Sequence, residues 1–103
     1  MLAAQSGQTF FDAELQRVNA EILLAAGETS EAEAGYQRGL VVARSQASKS
    51  FELRVAIGLA RLWSRQDDRA RARALLAPTY AWFTEGFDTR DLIEAKALLD
   101  ELA

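Results

Sequence analysis

Apolar residues recur every three or four positions along most of the chain, which is the period of an α-helix rather than of a strand. Near the N-terminus one such apolar stripe consists of Leu15, Val18, Ile22 and Ala25. This pattern predicts a first helix that begins near Phe11 or Asp12 and ends at Ala26, where Gly27 is a natural stop. Residues 1–9 precede the pattern and are predicted to be a flexible lead-in or the tail of a further element.

Residues with helix-capping chemistry divide the rest of the chain. Thr29 or Ser30 is the predicted N-cap of a second helix, and Glu33 stands at the spacing of a capping box after Ser30. A third helix is predicted from the apolar positions Leu53, Ala56, Ile57, Ala60 and Trp63. Asp68 is the predicted N-cap of a fourth helix.

The single proline falls inside the fourth helix. Pro78 lacks an amide donor and clashes with the carbonyl four residues earlier, so the sequence predicts a kink there, or a break followed by a short helical piece through Phe83. Asp88 or Thr89 then caps a fifth helix that runs to Leu102. No segment alternates with period two for long, and no strand is predicted.

The composition excludes most catalytic chemistry. The 103 residues include no cysteine and no histidine, so the chain has no disulfide, thiol nucleophile, Cys-type zinc site, Ser-His-Asp triad or HExxH motif. It also lacks the GxxxxGK(S/T) phosphate-binding loop. Acid pairs such as Asp67 with Asp68 and Asp100 with Glu101 lie at predicted helix ends, where capping explains them. We therefore expect no enzymatic activity, no catalytic residues, no metal and no cofactor.

Charge is distributed unevenly along the chain. Its 12 basic and 15 acidic side chains give a net charge of −3, but residues 1–33 carry −5, residues 34–73 carry +6 and residues 74–103 carry −4. The pattern has two interpretations, attraction between neighbouring helices or a basic binding surface. A net charge this mild disfavours nucleic-acid binding. There is no secretory signal, and no apolar run approaches the ~18 residues of a membrane span, so the expected location is the cytoplasm.

A shift of 40 residues superimposes two halves of the chain. The equivalent pairs are Ala20 with Ala60, Leu23 with Trp63, Gly27 with Asp67, Ala32 with Ala72, Tyr36 with Leu76 and Leu40 with Tyr80. Small residues fall where two helices must approach closely, and large apolar residues fall beside them. This arrangement is typical of stacked helical hairpins.

These positions resemble the tetratricopeptide repeat, whose pattern places a small residue and an aromatic residue in each helix of a hairpin. The matching positions are Ala20, Leu23, Gly27, Ala32, Tyr36, Gly39 and Leu40 in the first hairpin, and Leu59, Ala60, Trp63, Asp67, Ala72, Leu76 and Tyr80 in the second. The repeat is 40 residues long instead of the typical ~34, and Gln16 and Ala56 stand where the family favours tryptophan. The resemblance implies an all-α, right-handed α-solenoid in a single domain. Its parts are two antiparallel hairpins, residues 10–46 and 48–86, and a C-terminal capping helix, residues 88–103.

Longer stretches are similar to the C-terminal region of large bacterial multidomain regulators. They are residues 13–17, 21–25, 59–63, 75–89 and 94–102. In that family a class III adenylate or guanylate cyclase domain, or a DNA-binding domain, is joined to an AAA-type ATPase module and a helical-repeat tail. The similarity implies the tail of a cytoplasmic signalling protein, and it carries over no cyclase or ATPase residues.

In tetratricopeptide proteins the first helix of each hairpin lines a concave groove. The resemblance therefore places six candidate binding residues in that groove, namely Arg17, Glu21, Arg54, Ile57, Arg61 and Arg65. Arg54, Arg61 and Arg65 share one helix face, and arginine suits bidentate binding of carboxylate or phosphate. The functional hypothesis is a clamp for an acidic peptide or a neighbouring acidic domain. The alternative is a solvated face paired with nearby acids.

The sequence thus predicts a non-catalytic module for protein–protein or intramolecular interaction, the C-terminal part of a larger bacterial signalling protein. One alternative is a small-ligand or acidic-peptide sensing domain that regulates an attached enzyme. Another is a free-standing structural homodimer formed through the N-terminal hairpin. Two hairpins are few for an independent solenoid, for which ~3 repeats are usual. We therefore expect the N-terminal face to be apolar and covered by another chain or by further repeats.

Overall fold

Five α-helices and no strand form the chain over the residues that this computed structural model describes. It describes the backbone of residues 2–86 and 89–103 and the side chains of residues 13–86 and 89–103. The helices are α1 (Leu2–Ala25), α2 (Thr29–Ser45), α3 (Lys49–Arg65), α4 (Arg69–Ala81) and α5 (Arg90–Leu102). The prediction of an all-α chain is confirmed.

The first helix is longer than the sequence analysis predicts. α1 begins at Leu2 rather than near Phe11, so residues 2–9 belong to the helix and are not a lead-in to it. This segment holds no proline and one glycine, Gly7, whose cost inside a helix is about 1 kcal/mol. The alanines and glutamines around it are good helix formers, and they extend the helix upstream of its apolar stripe.

Three turns of the same form connect α1, α2, α3 and α4. Each contains one residue with a left-handed backbone, Gly27 (φ 86°), Ala47 (φ 53°) or Asp67 (φ 63°), and these residues are 20 positions apart. The following amide donates to a carbonyl five positions earlier, from Glu28 to Leu23, from Ser48 to Ala43 and from Asp68 to Trp63, at 2.8, 2.9 and 2.8 Å. This is the Schellman ending, which satisfies the last carbonyls of a helix through backbone bonds alone.

The predicted side-chain caps do not form among the described residues. Asp68 and Thr89 precede α4 and α5 as predicted, but neither makes a side-chain capping hydrogen bond. The predicted capping box of α2 is wrong, because Glu28 is the N-cap residue and Ser30 lies inside the helix. The Schellman turn ends one helix and begins the next within three residues, so the backbone fixes the N-cap position whatever side chain stands there. Asp88, the alternative cap of α5, lies outside the described residues.

Pro78 lies inside α4, which continues for three more residues to Ala81. The predicted break, with a separate helical piece through Phe83, is therefore wrong. Pro78 removes the one hydrogen bond that an amide at this position would donate to the carbonyl of Ala74, and the helix continues past it for less than one turn. Next to it, the buried Thr79 hydroxyl donates to the Leu75 carbonyl oxygen at 3.0 Å, which adds a side-chain bond to the last turns.

Consecutive helices pack against each other, and the odd-numbered helices also contact one another, α1 with α3 and α3 with α5. Within the described residues the backbones of α2 and α4 do not reach packing distance, and the ion pair between Arg71 and Glu33 (3.8 Å) links these two helices. α3 touches all four other helices, and nine of its 17 residues are buried. The core is therefore built around α3.

Small residues mark the closest contacts between helices. The four fully buried alanines of the internal repeat are Ala20, Ala32, Ala60 and Ala72. Gly35 lies so close to α1 that a Cβ atom at this position would sit 3.1 Å from the Ala20 Cβ atom. At Gly58 the same atom would sit 2.6 Å from Cε1 of Tyr36. A methyl group at either glycine, or a side chain larger than methyl at the four alanines, would therefore push the packed helices apart.

Candidate functional site

The three odd-numbered helices line a surface cavity of about 570 Å³, here called the groove. Five of the six predicted residues line it, namely Arg17, Glu21, Arg54, Ile57 and Arg61. Arg65, the sixth, lines two adjoining cavities beside Arg61. α5 adds Arg90, Asp91 and Glu94 to the groove, and the sequence analysis missed them because it treated α5 only as a cap. The sequence does contain a signal for them, because the acids Asp91 and Glu94 are three residues apart and so share one face of the helix.

Arg54 lies between carboxylates from both neighbouring helices. Its Nη1 atom is 3.4 Å from Glu14 Oε2 on α1. Its Nη2 and Nε atoms are 3.1 and 3.2 Å from Asp91 Oδ2 on α5. The charge of Arg54 is therefore balanced within the protein, and this one side chain joins three helices.

On α1, Arg17 pairs with acids one turn away on either side. Its Nε and Nη2 atoms donate to the two carboxylate oxygens of Glu14 at 3.0 and 2.7 Å, and Nη1 donates to Glu21 at 2.7 Å. The hydrogen bonds from Arg17 lower the pKa of Glu14, with a further contribution from Arg54. The hydrogen bond to Glu14 raises the pKa of Arg17 in turn. Both groups are charged at neutral pH.

Arg61 takes part in a second set of ion pairs across the groove. Its Nη2 atom is 3.1 Å from Glu94 Oε2, and the other oxygen of Glu94 accepts a hydrogen bond from Arg90 Nε at 2.9 Å. The hydrogen bond from Arg90, and then that from Arg61, lowers the pKa of Glu94. Arg65 is exposed and has no ion-pair partner among the described residues.

The ion pairs explain the acidic–basic–acidic order of the sequence. The basic face of α3 lies between acidic positions of α1 and α5, and Arg54 and Arg61 each bind a carboxylate of another helix. This geometry favours the interpretation as attraction between neighbouring helices. A partner that binds in the groove would have to replace these pairs with its own. Since partly exposed pairs contribute at most about 1 kcal/mol each, that replacement costs little.

A second surface, the outer side of α1, is apolar and exposed. We call it the α1 stripe, and its residues are Leu15, Val18 and Ile22. Leu15 and Ile22 are 61% and 62% exposed, because α1 turns the small residues Ala13 and Ala20 toward the other helices. The stripe lines a shallow cavity of about 320 Å³ together with Gln16 and Asn19, and none of the described side chains that line this cavity is charged.

Neither surface offers a metal site within the described side chains, where no group of three histidine, cysteine, aspartate or glutamate residues is placed to hold an ion. No helix in the described part of the chain combines the length and the apolar character needed to cross a bilayer. Comparison of the chain with protein-family models, curated proteins and solved structures found no match. Functional conclusions therefore depend on the groove and the α1 stripe.

Proposed function

We propose that the chain is a non-catalytic interaction module that binds another protein, or another domain of its parent chain, through the α1 stripe. The exposure of Leu15 and Ile22 carries this proposal. Burying one such side chain contributes about 1.5–3 kcal/mol. Contiguous exposed apolar side chains bordered by polar ones mark interaction sites, and Gln16 and Asn19 supply that polar border.

The proposal includes an architecture, a right-handed tetratricopeptide-like α-solenoid of two hairpins and a capping helix. Contacts between successive odd-numbered helices support it, as do the three equivalent turns. The buried alanine pairs at a spacing of 40 residues support it as well. In a stack of this kind each hairpin contacts only its neighbours, so an end hairpin without a polar outer side has an unsatisfied apolar surface.

The resemblance to bacterial regulators suggests a context for this surface. We propose a helical-repeat tail of a cytoplasmic signalling protein that also carries a cyclase or ATPase module. In such a protein the α1 stripe would contact the preceding part of the chain or a binding partner. The tail would then position the enzyme module without taking part in its chemistry.

A photo-crosslinking side chain at position 22 tests the proposed surface. In the natural protein in its own cells, we expect position 22 to give a crosslinked product, within the chain or to another protein, that mass spectrometry can identify. The matched control is position 93, because Ile93 is also apolar and 54% exposed but lies on α5 at the other end of the stack. We expect several-fold less product there. Equal yields at both positions would reject the α1 stripe as an interaction surface.

A second candidate function is binding of an acidic peptide in the groove. The supporting observation is the exposed Arg65, which has no described ion-pair partner and stands beside Arg61 at the groove's edge. Arg65→Glu should weaken the binding of a short glutamate-rich peptide several-fold by calorimetry. Arg73→Glu is the control, since it makes the same charge change at an exposed site on α4. If both variants lose affinity equally, net charge and not the groove explains the binding.

A further inference from the structure

Leu15 and Ile22 of the α1 stripe have equivalents in α3 and α5 that are buried. At the 40-residue spacing, Leu15 corresponds to Val55 and Ala95, and Ile22 corresponds to Leu62 and Leu102. These four equivalents are between 0% and 6% exposed, against 61% and 62% for Leu15 and Ile22. The same face of the repeat is therefore buried in α3 and in α5 but exposed in α1.

Val55 shows what covers this face in α3. Its two methyl carbons each lie 3.3 Å from the point that a Cβ atom of Gly39 would occupy, and that point is 3.5 Å from the Ala13 carbonyl oxygen. Gly39 belongs to α2 and Ala13 to α1, so α3 packs against both helices of the hairpin before it. A small residue at position 39 makes room for this approach. α5 contacts α3 and α4 in the corresponding way.

We infer that the α1 stripe binds an antiparallel helical hairpin of the same kind as α1 with α2, carrying glycine or another small residue at the position equivalent to Gly39. The inference deepens the proposed function and rests on it, because it specifies the partner of the same surface. We expect the surface that binds the stripe to be apolar, since the described residues that line the shallow cavity with Leu15, Val18 and Ile22 are the uncharged Gln16 and Asn19.

A second copy of this chain lacks a free surface of that kind. The surface formed by α1 and α2 is covered by α3, and the surface formed by α3 and α4 is covered by α5. A copy could present either surface only after opening its own core. The occupant is therefore a hairpin in another part of a longer chain, since the covered faces of α3 and α5 are each packed against a hairpin of the same polypeptide. A crosslink from position 22 to a different protein would contradict this source.

A tandem chain tests the inference directly. Residues 9–48 are repeated once after residue 48, so the loop that normally precedes α3 now precedes a second, inner copy of α1. The natural chain contains no cysteine, which allows a single Ile22→Cys substitution in the natural chain, in the outer copy or in the inner copy. The measurement is the rate of thiol labelling at each position.

We expect fast labelling in the natural chain and in the outer copy, where position 22 is exposed. In the inner copy, labelling should be roughly tenfold slower or more, because the added hairpin protects the side chain. A second tandem chain carries Leu15→Val and Val18→Gly in the inner copy, which restore the residues found at the equivalent positions of α3, Val55 and Gly58. The glycine is needed because a Cβ atom at position 58 would sit 2.6 Å from the ring of Tyr36, and Val18 of the inner copy would meet Tyr36 of the outer copy in the same way. Imperfect fit of these two side chains then does not decide the result.

Equal labelling of inner and outer positions in both tandem chains would overturn the inference. It would also be overturned if labelling of the natural chain slowed as its concentration rose, because a second copy would then be the occupant. Neither result affects the crosslinking test at position 22. A crosslinked partner together with an unprotected tandem chain would retain the interaction surface and reject the hairpin as its occupant.

Discussion

Ala47 and Asp67 hold a backbone conformation that glycine normally provides. Both have positive φ, and each stands in its own turn at the position that Gly27 holds in the turn between α1 and α2. For a residue with a Cβ atom, left-handed backbone costs about 1–2 kcal/mol. The fold thus uses one turn three times and supplies glycine only once, so the second and third turns are strained.

We predict that Ala47→Gly stabilises the chain and that Gly27→Ala destabilises it. Glycine at position 47 removes the left-handed penalty and adds unfolded-state entropy of about 0.4–1 kcal/mol, which leaves a net gain of about 0.5 kcal/mol. Alanine at position 27 introduces both effects with opposite sign and should therefore cost about 0.5 kcal/mol. Urea unfolding of the two variants and the parent measures the changes.

Alanine at position 27 causes no steric clash in the first turn, because a Cβ atom on Gly27 would have no neighbouring heavy atom within 4 Å. Any loss of stability in Gly27→Ala is then a backbone effect. A lower urea midpoint for Ala47→Gly than for the parent chain would show that the turn at Ala47 is not strained.

At the scale of helices, α3 is held in place by both apolar packing and charge. Its buried side fills the core, and its groove side bears Arg54 and Arg61, which reach acids on α1 and α5. Apolar packing is not directional, whereas these pairs require particular positions along the helices to face each other. The charges therefore contribute more to the alignment of the helices than to total stability.

We predict that the groove pairs make stability fall in acid. The pKa of Glu14 and that of Glu94 are lowered in the folded chain, so their contribution is complete above the unfolded value of about 4.3. It is lost as the pH falls through the lower folded values, because the unfolded chain binds these protons first. Glu14→Gln should cost about 1 kcal/mol or less at pH 7 and should lose less stability than the parent between pH 7 and pH 3.

Urea midpoints at the two pH values measure this difference. Glu31→Gln is the control, because Glu31 is exposed and has no ion pair within the described chain. Its stability should depend on pH as the parent's does. If Glu14→Gln and Glu31→Gln lose the same stability in acid, the pairs of Glu14 do not stabilise the folded chain.

At the scale of the whole molecule, the sequence predicts what depends on local spacing. The helical period of the apolar residues predicted the five helices. Gly27 and Asp67, 40 residues apart, predicted two of the turns. The start of α1 at Leu2 was missed because the prediction followed the apolar stripe, which begins at Leu15, while the helix continues upstream of it to Leu2. The side-chain caps failed because backbone bonds already close the turns.

The contacts between helices at the site could not be predicted from the sequence. The alignment placed Arg54 and Arg61 in a groove, and five of the predicted residues do line one cavity. It could not show that Asp91 and Glu94 reach these arginines, because that depends on how α5 packs beside α3. A basic patch on the sequence is consequently a charge-balanced surface in the fold.

The three residues with a left-handed backbone are 20 positions apart, and this spacing limits the insertions and deletions that the fold can accept. One residue inserted into a helix rotates all that follows by about 100° and turns the buried face outward. A 20-residue insertion adds one helix with its turn, but it gives every later helix the place of its neighbour, so that helices in odd-numbered and even-numbered places are exchanged. An insertion of 40 residues, or 120 nucleotides, restores both rotation and place. Tolerated insertions and deletions should therefore come in units of that size.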